Sequence, residues 1–290
     1  MNLNRRRFAR LAAVSGTAAL IGRSRAFAVD GPMTANQLVE QIKSHLGFPW
    51  DDKTYRDTFK AGDPNTPVAG IACTFMATLD VIKRAHAAGL NFVITHEPTF
   101  WSDPDSIPPV ENDPLYKAKV GFVKDNNMVV WRFHDHFHRM RPEPMRAGEV
   151  EALGWNKYVS SADNSSIYRL PPTPLRDVAA HFATALKFKS VRVIGDPNLS
   201  VTSIAHAGHD LAGVMRGLNN ADVVTAIEIR EWETAEYVRD LVRSGAEKAM
   251  LDLPHEDEEA GMQLFTTWLI KEMPGLRIEF IPTTDRLWTV

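Results

Sequence analysis

A single cysteine, Cys73, stands in a chain of 290 residues. That scarcity excludes an intramolecular disulfide and any zinc site built on thiolates, so a bound metal must be held by nitrogen and oxygen. The run Gly70-Ile71-Ala72-Cys73 marks the thiol itself as a small buried side chain. No Gly-x-Gly-x-x-Gly follows a strand-like run, which argues against dinucleotide chemistry, and no glycine-rich loop suits a phosphate. Past residue 30 there is neither an apolar run long enough for a transmembrane helix nor a Lys/Arg run to grip nucleic acid or an anionic membrane.

The amino terminus carries what the rest lacks. Asn4-Arg5-Arg6-Arg7-Phe8-Ala9-Arg10, an apolar stretch from Leu11 to Ile21, and Ala26-Phe27-Ala28 form the three parts of a twin-arginine signal. Residues 1–28 are therefore expected to be removed, with the mature chain periplasmic or otherwise exported by that pathway. Removal takes six arginines and no acid from 33 basic residues, which leaves 27 against 36 acidic and a net charge of −9. No stable membrane insertion is expected after cleavage.

With 44% hydrophobic residues, the remainder can bury a large core. Helix-like and strand-like stretches alternate, which predicts α/β architecture. Met33 to Leu46 has helical spacing with Thr34 as N-cap, and Leu79 to Ala88 is a second helix closed by Gly89. Val68–Phe75, Asn91–Thr95 and Asn127–Phe133 are predicted strands, and Ser102–Pro114 is a loop rich in Pro and Asp. A helix over Leu175–Leu186 and a strand over Val191–Ile194 follow a Pro-rich turn at 171–174. Val81–Thr95 and Val214–Thr225 share a faint helix, turn, strand, Thr pattern that suits two related lobes. The boundary is placed near residue 155, giving lobes 29–155 and 156–290.

Five of the ten histidines fall in three short segments. The first is Thr95-His96-Glu97-Pro98, the second His134-Asp135-His136-Phe137-His138, and the third His255 with Glu259 four residues on. Two of the segments follow predicted strands, and ligands of open α/β sheets gather beyond strand carboxyl ends. If Pro254 opens a helix, His255 and Glu259 share a face at about 6 Å between Cβ atoms. On a continuing strand His134, His136 and His138 would share one face, whereas a fraying strand could turn Asp135 inward. Imidazoles and carboxylates of this kind suit Zn, Mn, Fe or Ni. His206 and His209, in Ala205-His206-Ala207-Gly208-His209-Asp210, are candidates for substrate contact or for a place behind the ligands, and His136 for substrate contact.

These segments, in this order, resemble the Nif-three-like family of dinuclear-metal proteins, often labelled type 2 GTP cyclohydrolase homologues. The likeness covers roughly residues 35–285. The family's strand-Thr-His-His-Pro corresponds to Ile94-Thr95-His96-Glu97-Pro98, its His-x-x-x-Asp to His134–His138, and its Gly-His-x-x-x-Glu to Pro254-His255 through Glu259. A Thr-Gly-Glu strand end is loosely matched by Thr225-Ala226-Ile227-Glu228. Glu97 thus replaces a histidine and His138 an aspartate. The resemblance implies two α/β lobes with one or two divalent transition-metal ions in the cleft, the last segment (about 245–290) packing back to complete the site. It also implies a homo-oligomer, a hexameric ring. His96, Glu97, His134, Asp135, His138, His255 and Glu259 are the candidate ligands.

Metal-assisted hydrolysis of a small molecule is the expected function, with Glu97 as ligand or general base and Glu228 as a second candidate base. The alternative is a non-catalytic metal-binding oligomeric scaffold. No nucleic acid partner is expected.

Overall fold

The computed structural model describes residues 32–159 and 167–283; the twin-arginine signal lies outside the described residues. The fold is mixed α/β, built on two five-stranded sheets within one unit that begins at Pro32.

Helix α1 (Ala35–His45) opens the first half, and its start is a capping box: Thr34 accepts from the Gln37 N–H while Gln37 accepts from the Thr34 N–H. Next come β1 (Phe59–Ala61), β2 (Ile71–Met76), α2 (Leu79–Ala87), β3 (Phe92–Glu97), α3 (Pro114–Asp125), β4 (Val129–Arg132) and α4 (Pro144–Ala152). The second half runs β5 (Ile167–Pro174), α5 (Leu175–Ala185), β6 (Arg192–Ile194), β7 (Ser200–His206), α6 (Leu211–Asn220), β8 (Val223–Ile227), α7 (Glu236–Arg243) and β9 (Ala249–Leu253). It closes with α8 (Glu259–Glu272) and β10 (Ile278–Phe280).

The sheets are ordered β1-β4-β3-β2-β10 and β5-β7-β8-β9-β6. In the first, only the edge strand β1 is antiparallel, and in the second β5 and β6 are. Each half holds the same unit of strand, helix, parallel strand: β2-α2-β3 in one and β7-α6-β8 in the other. This is where the faint repeat of the sequence falls.

The first sheet is buried on both faces, and its alternation shows why it reads as a continuous apolar run. Ile71, Cys73, Phe75, Phe92, Ile94, Val129 and Trp131 pack on one side with α1 and α8, through Leu38, Ile42, Met262, Phe265 and Leu269. Ala72, Val93 and Val130 face the other side, against Val81, Ile82 and Ala85 of α2 and Val123 of α3. The chain after β9 therefore returns to the first sheet, as a helix over one face and a strand at its edge.

That return depends on two glycines. Where α4 crosses α8, a Cβ on Gly148 would lie 2.4 Å from the Ala260 backbone, and one on Gly261 would lie 2.5 Å from Met145 Cα. Only hydrogen at both positions lets the helices approach this closely. No helix among the described residues is long and apolar enough to cross a membrane.

Candidate metal centre

The parallel strands of both sheets point their carboxyl ends at one region. His96 and Glu97 close β3, His134 follows β4, His209 follows β7, Glu228 follows β8 and His255 follows β9. His96 is fully buried and Glu97 and His255 nearly so.

Of the two courses left open for His134–His138, the chain does not continue as a strand after β4. The Asp57 carboxylate accepts the backbone N–H groups of His134, Asp135 and His136 in succession, at 2.5, 2.9 and 2.8 Å, and so bends the chain into a turn. A 3₁₀ turn, Phe137–Arg139, follows, and the His138 N–H donates back to the His134 carbonyl. One helical turn apart, His134 and His138 come together with rings 4.9 Å apart, each within 5.0 Å of the His96 ring. His136 turns the other way. Its Nδ1 donates to Asp57 at 2.5 Å, its Nε2 accepts from the Asp51 N–H at 2.8 Å, and Trp50 stacks on it at 3.6 Å. With both nitrogens engaged and 1% exposure, His136 is a structural pin, which corrects its reading as a substrate contact.

The third segment is also corrected. Pro254 opens a 3₁₀ turn, His255–Glu258, in place of an α-helix. Three residues per turn put Glu258, and not Glu259, on the face of His255. Glu258 Oε2 lies 3.3 Å from His255 Nε2, whereas Glu259 begins α8 and accepts the Thr283 N–H at 2.5 Å.

Four imidazoles share one arrangement. His96 Nδ1 donates to the Phe133 carbonyl at 3.1 Å, and a carbonyl can only accept, so Nδ1 carries the proton and Nε2 keeps its lone pair. His134 Nδ1 faces Asp135 at 3.0 Å, His138 Nδ1 faces Glu143 at 3.0 Å, and His255 Nδ1 faces Glu228 at 2.8 Å. The Nε2 atoms of His96, His134 and His255 converge on Glu97 Oε1, at 4.0, 3.9 and 3.6 Å. Oxygen acceptors behind imidazoles are the means by which proteins orient metal-binding histidines.

Asp135 and Glu228 therefore stand behind imidazoles: Asp135 also takes Thr54 Oγ1 and Arg56, and Glu228 faces His255 from a left-handed backbone (φ 51°). Such a conformation costs on the order of 1–3 kcal/mol in a residue other than glycine. Glu143 and Glu258 were not legible as site residues; the first caps α4, accepting the Met145 and Arg146 N–H groups, and the second hides in an acidic run. His209, read from the sequence as a substrate contact, stands 5.1 Å ring to ring from His255. His206 is apart from the centre, against Glu149 at 3.9 Å.

Three ligand groupings overlap here, each with all its ligand atoms within 4.8 Å: His96, His134 and His138; His209, His255 and Glu258; and His96, Glu97 and Glu258. The first is a three-imidazole set, the second two imidazoles and a carboxylate, and the third lies between them.

Electrostatics follow from this crowding. Burial, reinforced by neighbouring Glu258, pushes Glu97 up to about 7. Burial and the neighbouring His138 bring His134 down to about 4, and burial holds His96 well below the ordinary imidazole range. For His255 burial works downward but is outweighed by Glu228 and Glu258, which raise it to about 10. His138 is also raised, because Glu143 outweighs its burial.

Buried Arg132 ties the centre to the loop after β3. Its Nε donates to the His96 carbonyl at 3.0 Å, its Nη2 lies 3.5 Å from Glu97 Oε2, and it grips Asp103 through both the carbonyl and the carboxylate. Asp103 is further clasped by Arg56 and by the Tyr55 hydroxyl.

Comparison with known proteins identifies the family and the fold. Residues 33–286 match the family Duf34/NIF3 (NGG1p interacting factor 3). A GTP cyclohydrolase 1 type 2 homolog from Clostridium perfringens is 24% identical over 236 residues, covering 77% of this chain and 86% of that protein. A hypothetical protein of Staphylococcus aureus superposes with a TM-score of 0.72 at 16% identity, covering 90% of this chain and all of the other. A Bacillus cereus protein related to NIF3 gives 0.67 at 14% identity, again over 90% of this chain and all of the other. The chain belongs to the Duf34/NIF3 family.

Proposed function

We propose that this protein is an exported, metal-dependent hydrolase acting on a small molecule, with two divalent transition-metal positions. The observation that carries the reading is the common orientation of His96, His134, His138 and His255, each with Nδ1 against an oxygen and Nε2 left for a ligand. The residues fit such ions on a further count. His96 Nε2, both ring nitrogens of His255 and Glu258 Oε2 are buried without a hydrogen-bond partner among the described residues, the His255 Nδ1 contact with Glu228 being an ion pair, an arrangement that is costly unless something else is bound.

His96, His134 and His138 would hold one ion, and His209, His255 and Glu258 the other. Glu97, whose Oε1 faces the Nε2 atoms of His96, His134 and His255, would be a carboxylate ligand available to both sets. Zn, Mn, Fe and Ni all suit this nitrogen and oxygen set. A bound ion supplies Lewis-acid polarisation of the substrate and activation of water. Arg132 Nη2, 3.5 Å from Glu97 Oε2, would steady the second oxygen of that carboxylate. The twin-arginine pattern supports export from the cytoplasm, and the family resemblance implies a homo-oligomeric ring.

The test is hydrolysis of a panel of ester, amide and phosphoester substrates by metal-stripped and reloaded protein. Activity that returns with metal and is lost in Glu97→Gln supports the reading. Full metal loading with no turnover on any class would leave a metal-binding scaffold instead.

A further inference from the structure

One grouping of metal-ligand type stands outside the imidazole centre: Glu149, His206 and Asp257, with ligand atoms within 4.8 Å of one another. Glu149 comes from α4, His206 ends β7, and Asp257 sits on the 3₁₀ turn between His255 and Glu258. Three separate parts of the fold thus meet at one point.

The pocket is short of positive charge. Glu149 and Asp257 are 2% and 3% exposed. Glu149 Oε1 accepts from the Tyr168 hydroxyl at 2.9 Å, and Oε2 accepts from Arg146 Nη1 at 2.9 Å. Asp257 Oδ1 is buried with no hydrogen-bond partner among the described residues. One guanidinium faces two buried carboxylates, and buried charges are retained only when paired. Arg146 gives Glu149 a single N–H, its Nε and Nη2 being buried without acceptors.

His206 completes the set. Its Nδ1 lies 3.9 Å from Glu149 Oε2 and 3.2 Å from the Thr225 hydroxyl, which can rotate away to free the nitrogen. The ring is partly exposed and lines a surface cavity of about 210 Å³ with Gly213, Arg216 and Asn220.

We propose that Glu149, His206 and Asp257 bind one divalent cation, separate from the imidazole centre. Two carboxylates and one imidazole suit a borderline ion such as Mn²⁺ or Zn²⁺. Because Asp257 precedes Glu258, filling this site would also fix the turn that carries His255 and Glu258.

The experiment is equilibrium dialysis of the full chain against Mn²⁺, with metal counted by plasma mass spectrometry. His96→Ala/His255→Ala, which disables the imidazole centre, should retain about one ion per chain, and adding Glu149→Gln/His206→Asn should remove it. The Glu149→Gln/His206→Asn pair alone should bind about one ion fewer than the unaltered chain. If the first variant lacks a cooperative melt, the second comparison decides, read also from His206→Asn at its partly exposed position. Equal stoichiometry with and without Glu149→Gln/His206→Asn overturns the proposal and leaves a proton as the pocket's second positive charge. None of these outcomes depends on whether the imidazole centre is hydrolytic.

Discussion

Loading the imidazole centre with a divalent ion should expel protons, because two of its groups hold them near neutral pH. His255, raised to about 10, is fully protonated at pH 7, and Glu97, at about 7, is half protonated. Metal ligands must be deprotonated. Loading at pH 7 should therefore release about one and a half protons from these two groups, and His138 adds to that count. Displacing the His255 proton at pH 7 crosses about three pKa units, roughly 4 kcal/mol of metal affinity recovered as pH rises toward 10. Calorimetric titration with Zn²⁺ in buffers of different ionisation enthalpy gives the proton count directly. Release should fall toward about one at pH 8.5, where Glu97 is ionised, and Glu97→Gln should lower the pH 7 value by about half a proton. A release near zero at pH 7, or a value that Glu97→Gln leaves unchanged, would refute the assignment of His255 and Glu97 to the ion-binding set.

Other substitutions separate the site's parts. Glu258→Gln should weaken metal binding at least tenfold while Glu259→Gln leaves affinity nearly unchanged, as dialysis against Zn²⁺ would show, since Glu258 Oε2 lies 3.3 Å from His255 Nε2 whereas Glu259 accepts the Thr283 N–H. Asp135→Asn and Glu143→Gln, behind His134 and His138, should each cost about 10- to 100-fold in metal affinity in the same assay. In metal-free protein the raised pKa of Glu97 contributes stability that is complete below about 4.5 and lost as pH rises through about 7, about 3 kcal/mol. Denaturant titration across that window should show the loss in the unaltered chain and a flatter profile in Glu97→Gln. Gly148→Ala or Gly261→Ala should lower the melting temperature by an amount equivalent to about 1–3 kcal/mol, because the added methyl meets α-helical backbone at 2.4–2.6 Å.

The α/β class and the region of the site were legible because both rest on local signals. Alternating apolar residues in β2, β3 and β4 report burial on two faces, and the ends of β3, β4 and β9 carry the histidines. Helix α1 was legible to its cap at Thr34. What the sequence concealed was local geometry imposed from a distance. His134, His136 and His138 look equivalent until Asp57, about eighty residues earlier, gathers three successive N–H groups and bends the chain. Glu258 and Glu259 are neighbours in an acidic run, and only the 3₁₀ turn after Pro254 chooses between them. Glu143 could not be found by motif, since its role behind His138 comes from capping α4 beside that ring. Likewise Glu228 reads as a second candidate base, and the fold sets it against His255 Nδ1.

The most direct test of the metal centre is anomalous diffraction from crystals of the mature chain grown with Zn²⁺. Peaks bonded to Nε2 of His96, His134 and His138, and to His209, His255 and Glu258, are the expected result. Ions bound instead by Asp135 or Glu259, or no peak in this cluster at full Zn²⁺ saturation, would contradict it.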